Sequence, residues 1–304
     1  MYIFALSYTA DSFTFIDMTS AHPHSASASN SVNPQIERFS HDSISNTPLL
    51  SQGNQSSGRV LEQMFHWASL PGDEALHKLW QLALEYRDER TVSEIQSSPP
   101  WTNLVSSIGT RWASLIARKE NDEVSHRLRN GDLDTDMSIL SLESYAGIGE
   151  EISLAKNAAS ARSFMMAGSG PYPETLLTIL RTCRNIRHAV GIDADSEAID
   201  LSSRLVSLSR QAALLPPIHF IQGMAEEVSY EGADIVLVAN GIHNKTAVVR
   251  RILETCSPGT SVLVRSPILL ATAFYEAISE DSTFTITDRR QFSALSETVV
   301  VERA

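Results

Sequence analysis

A short apolar run followed by two glycines is the part of this sequence best suited to binding a small molecule. Residues 164–167 are apolar, as in a parallel strand buried on both faces, and Gly168 and Gly170 allow a turn where a ligand contacts bare backbone. Pro173 suits the first turn of a helix, and Glu174 suits the positive end of its dipole. Strand, Gly-x-Gly turn and helix are typical of the opening of a nucleotide-binding Rossmann-like unit.

The prolines of this turn indicate which nucleotide it suits. A dinucleotide pyrophosphate requires a glycine where Pro173 stands, and two prolines remove amides that would otherwise face phosphate oxygens. A nucleoside without phosphates is therefore favoured, and S-adenosylmethionine (SAM) is the common one. We expect Gly168, Ser169, Gly170 and Pro171 to contact SAM, and an NAD-dependent oxidoreductase is the least favoured alternative. A tight turn that binds nothing is the structural alternative.

Polar residues after the later strands extend this prediction. Asp193 lies at the end of the second predicted strand, where an acceptor-only carboxylate can bind both ribose hydroxyls. Asp195 or Ser196 is expected to cap the next helix. After the third strand, Met224 stands where an acidic residue often binds the adenine amino group, so the backbone of Ala225 would have to serve.

The end of the fourth predicted strand supplies two more candidates. Asn240 and His243 follow it at the carboxyl edge, where an open α/β sheet binds its ligand. Asn240 is expected to contact SAM. His243 is either a base or, more simply, a solvent-exposed residue at the start of a helix.

These residues require a particular set of elements to position them. After residue 161 the pattern predicts alternating strands and helices. We expect an α/β Rossmann-like domain over 161–304 with a seven-stranded methyltransferase-type sheet of order 3-2-1-4-5-7-6. The predicted strands lie near 163–167, 188–193, 217–221, 233–239, 260–265, 283–288 and 296–302, and the predicted helices near 173–183, 195–211, 244–256 and 268–279.

The first half of the chain is predicted to be different. Residues 1–58 are expected to be a largely disordered tail, because residues 19–58 are rich in Ser, Asn, His and Gln and poor in large apolar side chains. The tail's first residues lack the basic leader of a signal peptide. Residues 59–160 are expected to form a cap of about six short helices with tryptophans in its core.

Composition limits the partners. The chain has 304 residues, 42% of them apolar, and a net charge of −12, which opposes nucleic-acid binding and favours a small-molecule substrate. Cys183 and Cys256 are expected in helices as reduced, buried residues of a cytoplasmic protein. His22 and His24 lack further ligands at metal-site spacing, so no metal is expected. No membrane association is expected, and a homodimer is conceivable.

Several motifs together resemble the nicotianamine synthase family over roughly residues 145–304. The motifs are the Gly-Ser-Gly-Pro-Tyr-Pro turn at 168–173, Ile-Asp-Ala-Asp at 192–195, the run 258–266 that ends in Arg265-Ser266, and Ala-Phe-Tyr at 273–275. The resemblance implies an enzyme that uses SAM as a donor of its 3-amino-3-carboxypropyl group and releases 5′-methylthioadenosine. It also implies that Arg265 and Tyr275 lie at the SAM site.

In that family a tyrosine and a glutamate ahead of the glycine turn line the reacting centre. Tyr145 lies at the matching distance, and the glutamate is one of Glu120, Glu123 and Glu150. A carboxylate there would accept a proton from the attacking amine, and Tyr145 would orient the aminocarboxypropyl arm.

One departure from the family bears on the acceptor. The turn after Arg265-Ser266 is apolar over 267–270 instead of small and glycine-containing, which predicts a tighter pocket wall. Two outcomes therefore stay open: transfer of the arm to another amine, or attack by SAM's own amine to give azetidine-2-carboxylate. A small-molecule methyltransferase and a non-catalytic SAM-binding module are the remaining alternatives.

Overall fold

Four helices precede a seven-stranded sheet in the part of the chain that the structure describes. This computed structural model covers residues 56–131, 150–209, 212–293 and 295–304. The predicted tail lies outside these residues except at its end, where Ser57 and Gly58 already belong to the first helix. The tail that we predicted to be disordered up to residue 58 therefore ends at least two residues earlier.

The helical part is formed by α1 (Ser57–Ser69), α2 (Asp73–Glu85), α3 (Glu89–Gln96) and α4 (Pro99–Asn130). We expected about six short helices, whereas the described residues form four, and one of them, α4, has 32 residues. Pro99 and Pro100 begin this helix instead of breaking one, because a proline in the first turn forfeits no intrahelical hydrogen bond. Gly131, with φ 69°, follows the last residue of α4.

These helices share a core with a segment that follows the fifth strand. Leu270, Ala273 and Phe274 are buried among the apolar side chains of the helices, including Leu79 and Trp112. Gln96 donates to the carbonyl of Leu269 and to Oγ1 of Thr272, at 2.9 and 3.0 Å. The helices are therefore anchored on this segment.

The sheet has the order predicted from the sequence, β3-β2-β1-β4-β5-β7-β6. The pairs from β3 to β5 are parallel, and β7 is antiparallel to both β5 and β6. Its strands are β1 (Ser163–Ala167), β2 (His188–Asp193), β3 (Ile218–Gln222), β4 (Ile235–Val238), β5 (Ser261–Pro267), β6 (Phe284–Gln291) and β7 (Ser296–Arg303). Three helices accompany it, α5 (Glu174–Thr182), α6 (Ser196–Leu208) and α7 (Lys245–Thr255).

Alternate residues of the central strands enter two separate cores, as expected for a sheet covered on both faces. Val236 and Val238 pack with residues of α7, whereas Ile235 and Leu237 pack with residues of α5. The carboxyl ends of β1, β2, β4 and β5 consequently open on one edge, where the loops that follow them converge.

Two local predictions are wrong. The helix expected near 268–279 is only a 3-10 turn, Leu269–Ala273, since Leu269 takes a left-handed φ of 54° and its segment is held against the helical part. Cys183 and Cys256 are free but only partly buried, because each stands just after the last residue of its helix.

Among the described residues, no helix has both the length and the apolar character needed to cross a bilayer.

Candidate active site

A cavity of about 450 Å³ lies at the carboxyl edge of the sheet, between the strand ends and helix α4. This volume falls in the range of small-molecule sites. Its lining includes the glycine turn, residues that follow β2 and β4, and residues of the loop that precedes β7. Side chains of α2 and α4 complete it. The fold thus brings residues that are far apart in the sequence together around one cavity.

The glycine turn after β1 forms one side of the cavity. Gly168 and Gly170 have φ values of 76° and 66°, which side chains other than glycine rarely adopt. A Cβ on Gly168 would lie 3.0–3.1 Å from Ile242 and Ala239. The N–H groups of Gly168 and Ser169 donate to the carbonyl of Ile192, which fixes the turn to β2.

Asp193 joins this turn to the end of β2. Its Oδ2 accepts from the N–H of Gly170 at 2.9 Å, and its Oδ1 accepts from the N–H of Asp195 at 3.0 Å. Burial raises the pKa of Asp193, although these backbone donors favour its charged form. Because a carboxylate has about four acceptor positions, the group retains capacity for ligand hydroxyls. Asp195 caps α6 through the N–H of Glu197, as predicted.

The residues after β3 differ from expectation in one respect. Met224 and Ala225 line the cavity, and Met224 is half exposed. The Ala225 carbonyl accepts from the buried phenol of Tyr230 at 2.9 Å, which fixes the position of this loop. Glu226 also lines the cavity and supplies the acidic side chain that Met224 lacks. Sequence reasoning missed Glu226 because it stands two positions further along.

Asn240 and His243 both line the cavity after β4. Nδ2 of Asn240 donates to Oγ of Ser296 at 2.9 Å, while its Oδ1 is buried and has no partner among the described residues. His243 is exposed, which agrees with the simpler of its two interpretations. The side-chain amide oxygen of Asn240 is thus a buried acceptor that receives no hydrogen bond from the described residues.

Glu120 brings a carboxyl group from α4 to the glycine turn. Its Oε2 lies 3.4 Å from the position that a Cβ on Gly170 would occupy. Burial, together with the nearby charge of Asp193, raises the pKa of Glu120 from 4.5 to about 7. A carboxyl group with this pKa exchanges a proton readily at neutral pH, as a general base requires.

The next residue holds this part of α4 in place. Nδ2 of Asn121 donates to Oδ2 of Asp195 and to Oε2 of Glu197, both at 3.2 Å. Asn121 lines the cavity, and its Oδ1 is buried without a hydrogen-bond partner among the described residues. Helix α4 is therefore tied to the start of α6 one position from Glu120.

The other catalytic candidates lie elsewhere. Glu123 forms an ion pair with Arg127 at 2.8 Å, and Arg127 packs over the ring of Tyr172 at 5.5 Å. Glu150 is exposed and does not contribute to the cavity lining. Both predictions are corrected: of the three glutamates, Glu120 is the one at the site. Tyr145 lies outside the described residues.

A buried ion pair that the sequence did not predict holds Arg265 at the site. Glu151, 2% exposed, pairs with Arg265 and accepts from Oγ1 of Thr298 at 2.8 Å. Arg265 also donates to Oγ1 of Thr175, at the start of α5, at 3.2 Å. Glu151 was missed because it directly follows Glu150, and spacing alone does not distinguish neighbours.

Four aromatic side chains, which we call the aromatic wall, cover the side of the cavity nearest the helices. They are Trp80, Trp112, Phe274 and Tyr275. Trp80 stacks on Trp112 with ring centroids 5.0 Å apart. The rings of Phe274 and Tyr275 pack edge-on against both tryptophans. Burial raises the pKa of Tyr275 to about 12, so its phenol is protonated at neutral pH.

The aromatic wall replaces the wall predicted from residues 267–270. Leu270 packs into the helical core instead of lining the cavity. Its exclusion follows from the left-handed turn at Leu269, which directs the segment toward α3 and α4. The cavity does have an apolar wall, but side chains of α2, α4 and residues 274–275 form it instead of residues 267–270.

No family model matches this chain, and no curated protein matches it by sequence. Solved structures do match. A crystal structure of a glutamate-to-glutamine mutant of MtNAS, a nicotianamine synthase, in complex with S-adenosylmethionine has a TM-score of 0.62 and covers 83% of this chain and 99% of its own.

This chain has the nicotianamine synthase fold. A second MtNAS structure, in complex with MTA and tNA, has a TM-score of 0.60 and covers 82% of this chain and 97% of its own. Identity is 15% in both cases, so the likeness establishes a common fold. The resemblance found in the sequence motifs is confirmed at this level.

Within the nicotianamine synthase fold, all of the residues predicted to contact SAM come together. Nine predicted contacts line one cavity: Gly168, Ser169, Gly170, Pro171, Asp193, Ala225, Asn240, Arg265 and Tyr275. Their roles toward a ligand stay predictions. Residues of the lining also carry buried polar atoms that have no hydrogen-bond partner among the described residues, including Ser169 Oγ, Asn121 Oδ1 and Asn240 Oδ1. Buried polar atoms of this kind are typical of a site for a polar ligand.

Proposed function

We propose that this chain is a SAM-dependent enzyme in which an amine attacks the γ-carbon of SAM and 5′-methylthioadenosine is released. The observation that carries the proposal is the Glu120 carboxyl group, which lies beside the glycine turn with its pKa raised to about 7. The fold it shares with MtNAS supports the choice of ligand, since one MtNAS crystal contains S-adenosylmethionine and another contains MTA.

The cavity fits SAM in its chemistry. We assign the ribose hydroxyls to the remaining acceptor positions of Asp193, and the adenine to Glu226 and the Ala225 loop, which line the same cavity. Pro171 and Pro173 reduce the number of amides at the turn, which suits a ligand without phosphates. The aromatic wall is suited to a sulfonium, since a cation over an aromatic face gains roughly 0.5–2 kcal/mol.

The proposed step is a displacement at carbon. The amine nitrogen forms a bond to the γ-carbon, the bond from that carbon to sulfur breaks, and its electron pair stays on sulfur as a neutral thioether. Glu120 accepts the proton that the nitrogen loses. Alignment of nitrogen, carbon and sulfur by the cavity is worth up to about 7–11 kcal/mol in well-oriented reactions. Tyr145, from the family resemblance, is proposed to orient the arm.

The first experiment identifies the leaving group. Purified protein is incubated with SAM and the products are separated by mass spectrometry. Release of 5′-methylthioadenosine supports the proposal, whether the amine comes from another molecule or from SAM itself, the latter giving azetidine-2-carboxylate. Release of S-adenosylhomocysteine would establish a methyltransferase instead. SAM binding without any turnover, both with SAM alone and with added amines and amino acids, would establish a binding module.

A pair of variants on α4 tests the role of Glu120. Glu120→Gln should bind SAM with an affinity near that of the wild type but release methylthioadenosine at least 100-fold more slowly, as is typical for loss of a general base. Asp122→Asn removes the same charge from the exposed side of the helix and serves as the matched control. Equal rates for the wild type and Glu120→Gln would exclude Glu120 as the base.

A further inference from the structure

The charges that line the cavity are unequally distributed. Among the described residues, its lining contains one Lys or Arg side chain, Arg265, together with the exposed His243. Six acidic side chains face it: Glu120, Glu151, Glu174, Asp193, Asp195 and Glu226. Such a site favours cationic ligands and opposes each additional negative charge.

Helix N-termini, the other common sites for anions, are largely occupied by protein carboxylates. The first amides of α7, those of Asn244 and Lys245, donate to the carboxylate of Glu276 at 2.7 and 3.2 Å. At α6 the N–H of Glu197 donates to Asp195. An incoming carboxylate therefore meets an acidic side chain at both helix starts.

The start of α5 also carries an acidic residue, Glu174, but there an arginine stands beside the helix as well. Arg265 reaches Oγ1 of Thr175 in the first turn of α5, and Glu151 holds its guanidinium from the other side. This is the one place on the described lining where a guanidinium, a hydroxyl and a helix start converge. Guanidinium groups bind carboxylates well because they are planar and present several donors.

We infer that the site holds one carboxylate in each turnover, that of SAM, and that the attacking amine brings no second carboxylate. A free amino acid is therefore not the acceptor. This inference rests on the proposed function and narrows its substrate class. The amine is either SAM's own α-amine or a primary amine without an acid group, and both meet the same acidic, aromatic surroundings.

The bonds formed and broken are the same whether the attacking nitrogen belongs to SAM or to another amine. One nitrogen–carbon bond forms at the γ-carbon, the carbon–sulfur bond breaks with its electron pair on sulfur, and one proton leaves the nitrogen for Glu120. The products are methylthioadenosine and either a four-membered cyclic amino acid or an N-(3-amino-3-carboxypropyl) amine.

The test compares two acceptors that differ by one carboxylate, putrescine and L-ornithine. Methylthioadenosine and the nitrogen-containing product are measured by mass spectrometry with SAM alone, with SAM and putrescine, and with SAM and L-ornithine. We expect product in the first or second mixture, and no increase over SAM alone with L-ornithine. A coupled product with L-ornithine, or turnover only when an amino acid such as L-alanine is added, would overturn the inference while leaving the proposed function standing. Absence of methylthioadenosine from every mixture would overturn both.

A second measurement tests the single carboxylate site directly. Arg265→Lys keeps a cation opposite Glu151 but loses the guanidinium plane. We expect about a tenfold loss of affinity for SAM and less than about a twofold loss for decarboxylated SAM, by titration calorimetry. Equal losses for the two ligands would show that the SAM carboxylate lies elsewhere and would contradict the inference.

Discussion

Replacing Glu120 by glutamine should make the folded protein more stable at alkaline pH, although it should slow the proposed reaction. Burial raises the pKa of this carboxyl group from 4.5 to about 7, so the folded state holds its proton more tightly than the unfolded chain does. The stability that accompanies the proton is complete below about pH 4.5 and is lost as the pH rises through about 7. At about 1.4 kcal/mol for each pKa unit, the loss amounts to at most about 3 kcal/mol.

Glutamine has nearly the same shape and no charge, so the variant avoids this loss. Its free energy of unfolding, measured with urea, should differ little from that of the wild type near pH 4 and exceed it by up to about 3 kcal/mol above about pH 8. Asp122→Asn, on the exposed side of the same helix, controls for the change in net charge. A difference between Glu120→Gln and the wild type that stays constant with pH would refute the assigned environment of Glu120.

Three further substitutions test other parts of the site. Glu151→Gln should destabilise the fold by about 3–5 kcal/mol in urea unfolding because it removes the carboxylate that balances the charge of a largely buried guanidinium. Glu297→Gln, at a pair whose arginine is exposed, should cost under about 1 kcal/mol, and similar costs for the two variants would contradict the burial of the first pair. Gly168→Ala should lower the melting temperature more than Gly232→Ala, since both have positive φ but only Gly168 is crowded by neighbours, and the reverse order would be inconsistent with this turn. Asp193→Asn should weaken SAM binding by about 1–3 kcal/mol in titration calorimetry, and an unchanged affinity would remove it from the ribose site.

The sheet was predictable because its signals are local. The central strands β1 and β4 are short apolar runs, and the predicted bounds of β1 and β2 agree with the structure. Asp193 and the glycine turn could be identified for the same reason, since strand, turn and acid follow one another at fixed spacing.

The catalytic side of the cavity was harder to predict because it depends on contacts between distant parts of the chain. Nothing near Glu120 in the sequence distinguishes it from Glu123, and only the docking of α4 on the start of α6 brings it to the turn. The segment after β5 was predicted as a helix from its apolar residues. Its actual conformation depends on Gln96, 173 positions away from Leu269. Likewise, Trp80 and Trp112 are core residues by sequence pattern, and only their placement shows that they also face the cavity.

The tie made by Asn121 has a consequence for how such a protein can change. It joins Glu120 to the rim that carries Asp193 and Asp195, so the spacing between acid and nucleoside is set by the sheet domain. Side chains of α2, such as Trp80, lie on a different helix from Glu120 and Asn121, so they can change while this contact is kept. In the proposed enzyme, such an arrangement would let the choice of nucleophile change while the residues around the sulfonium are retained.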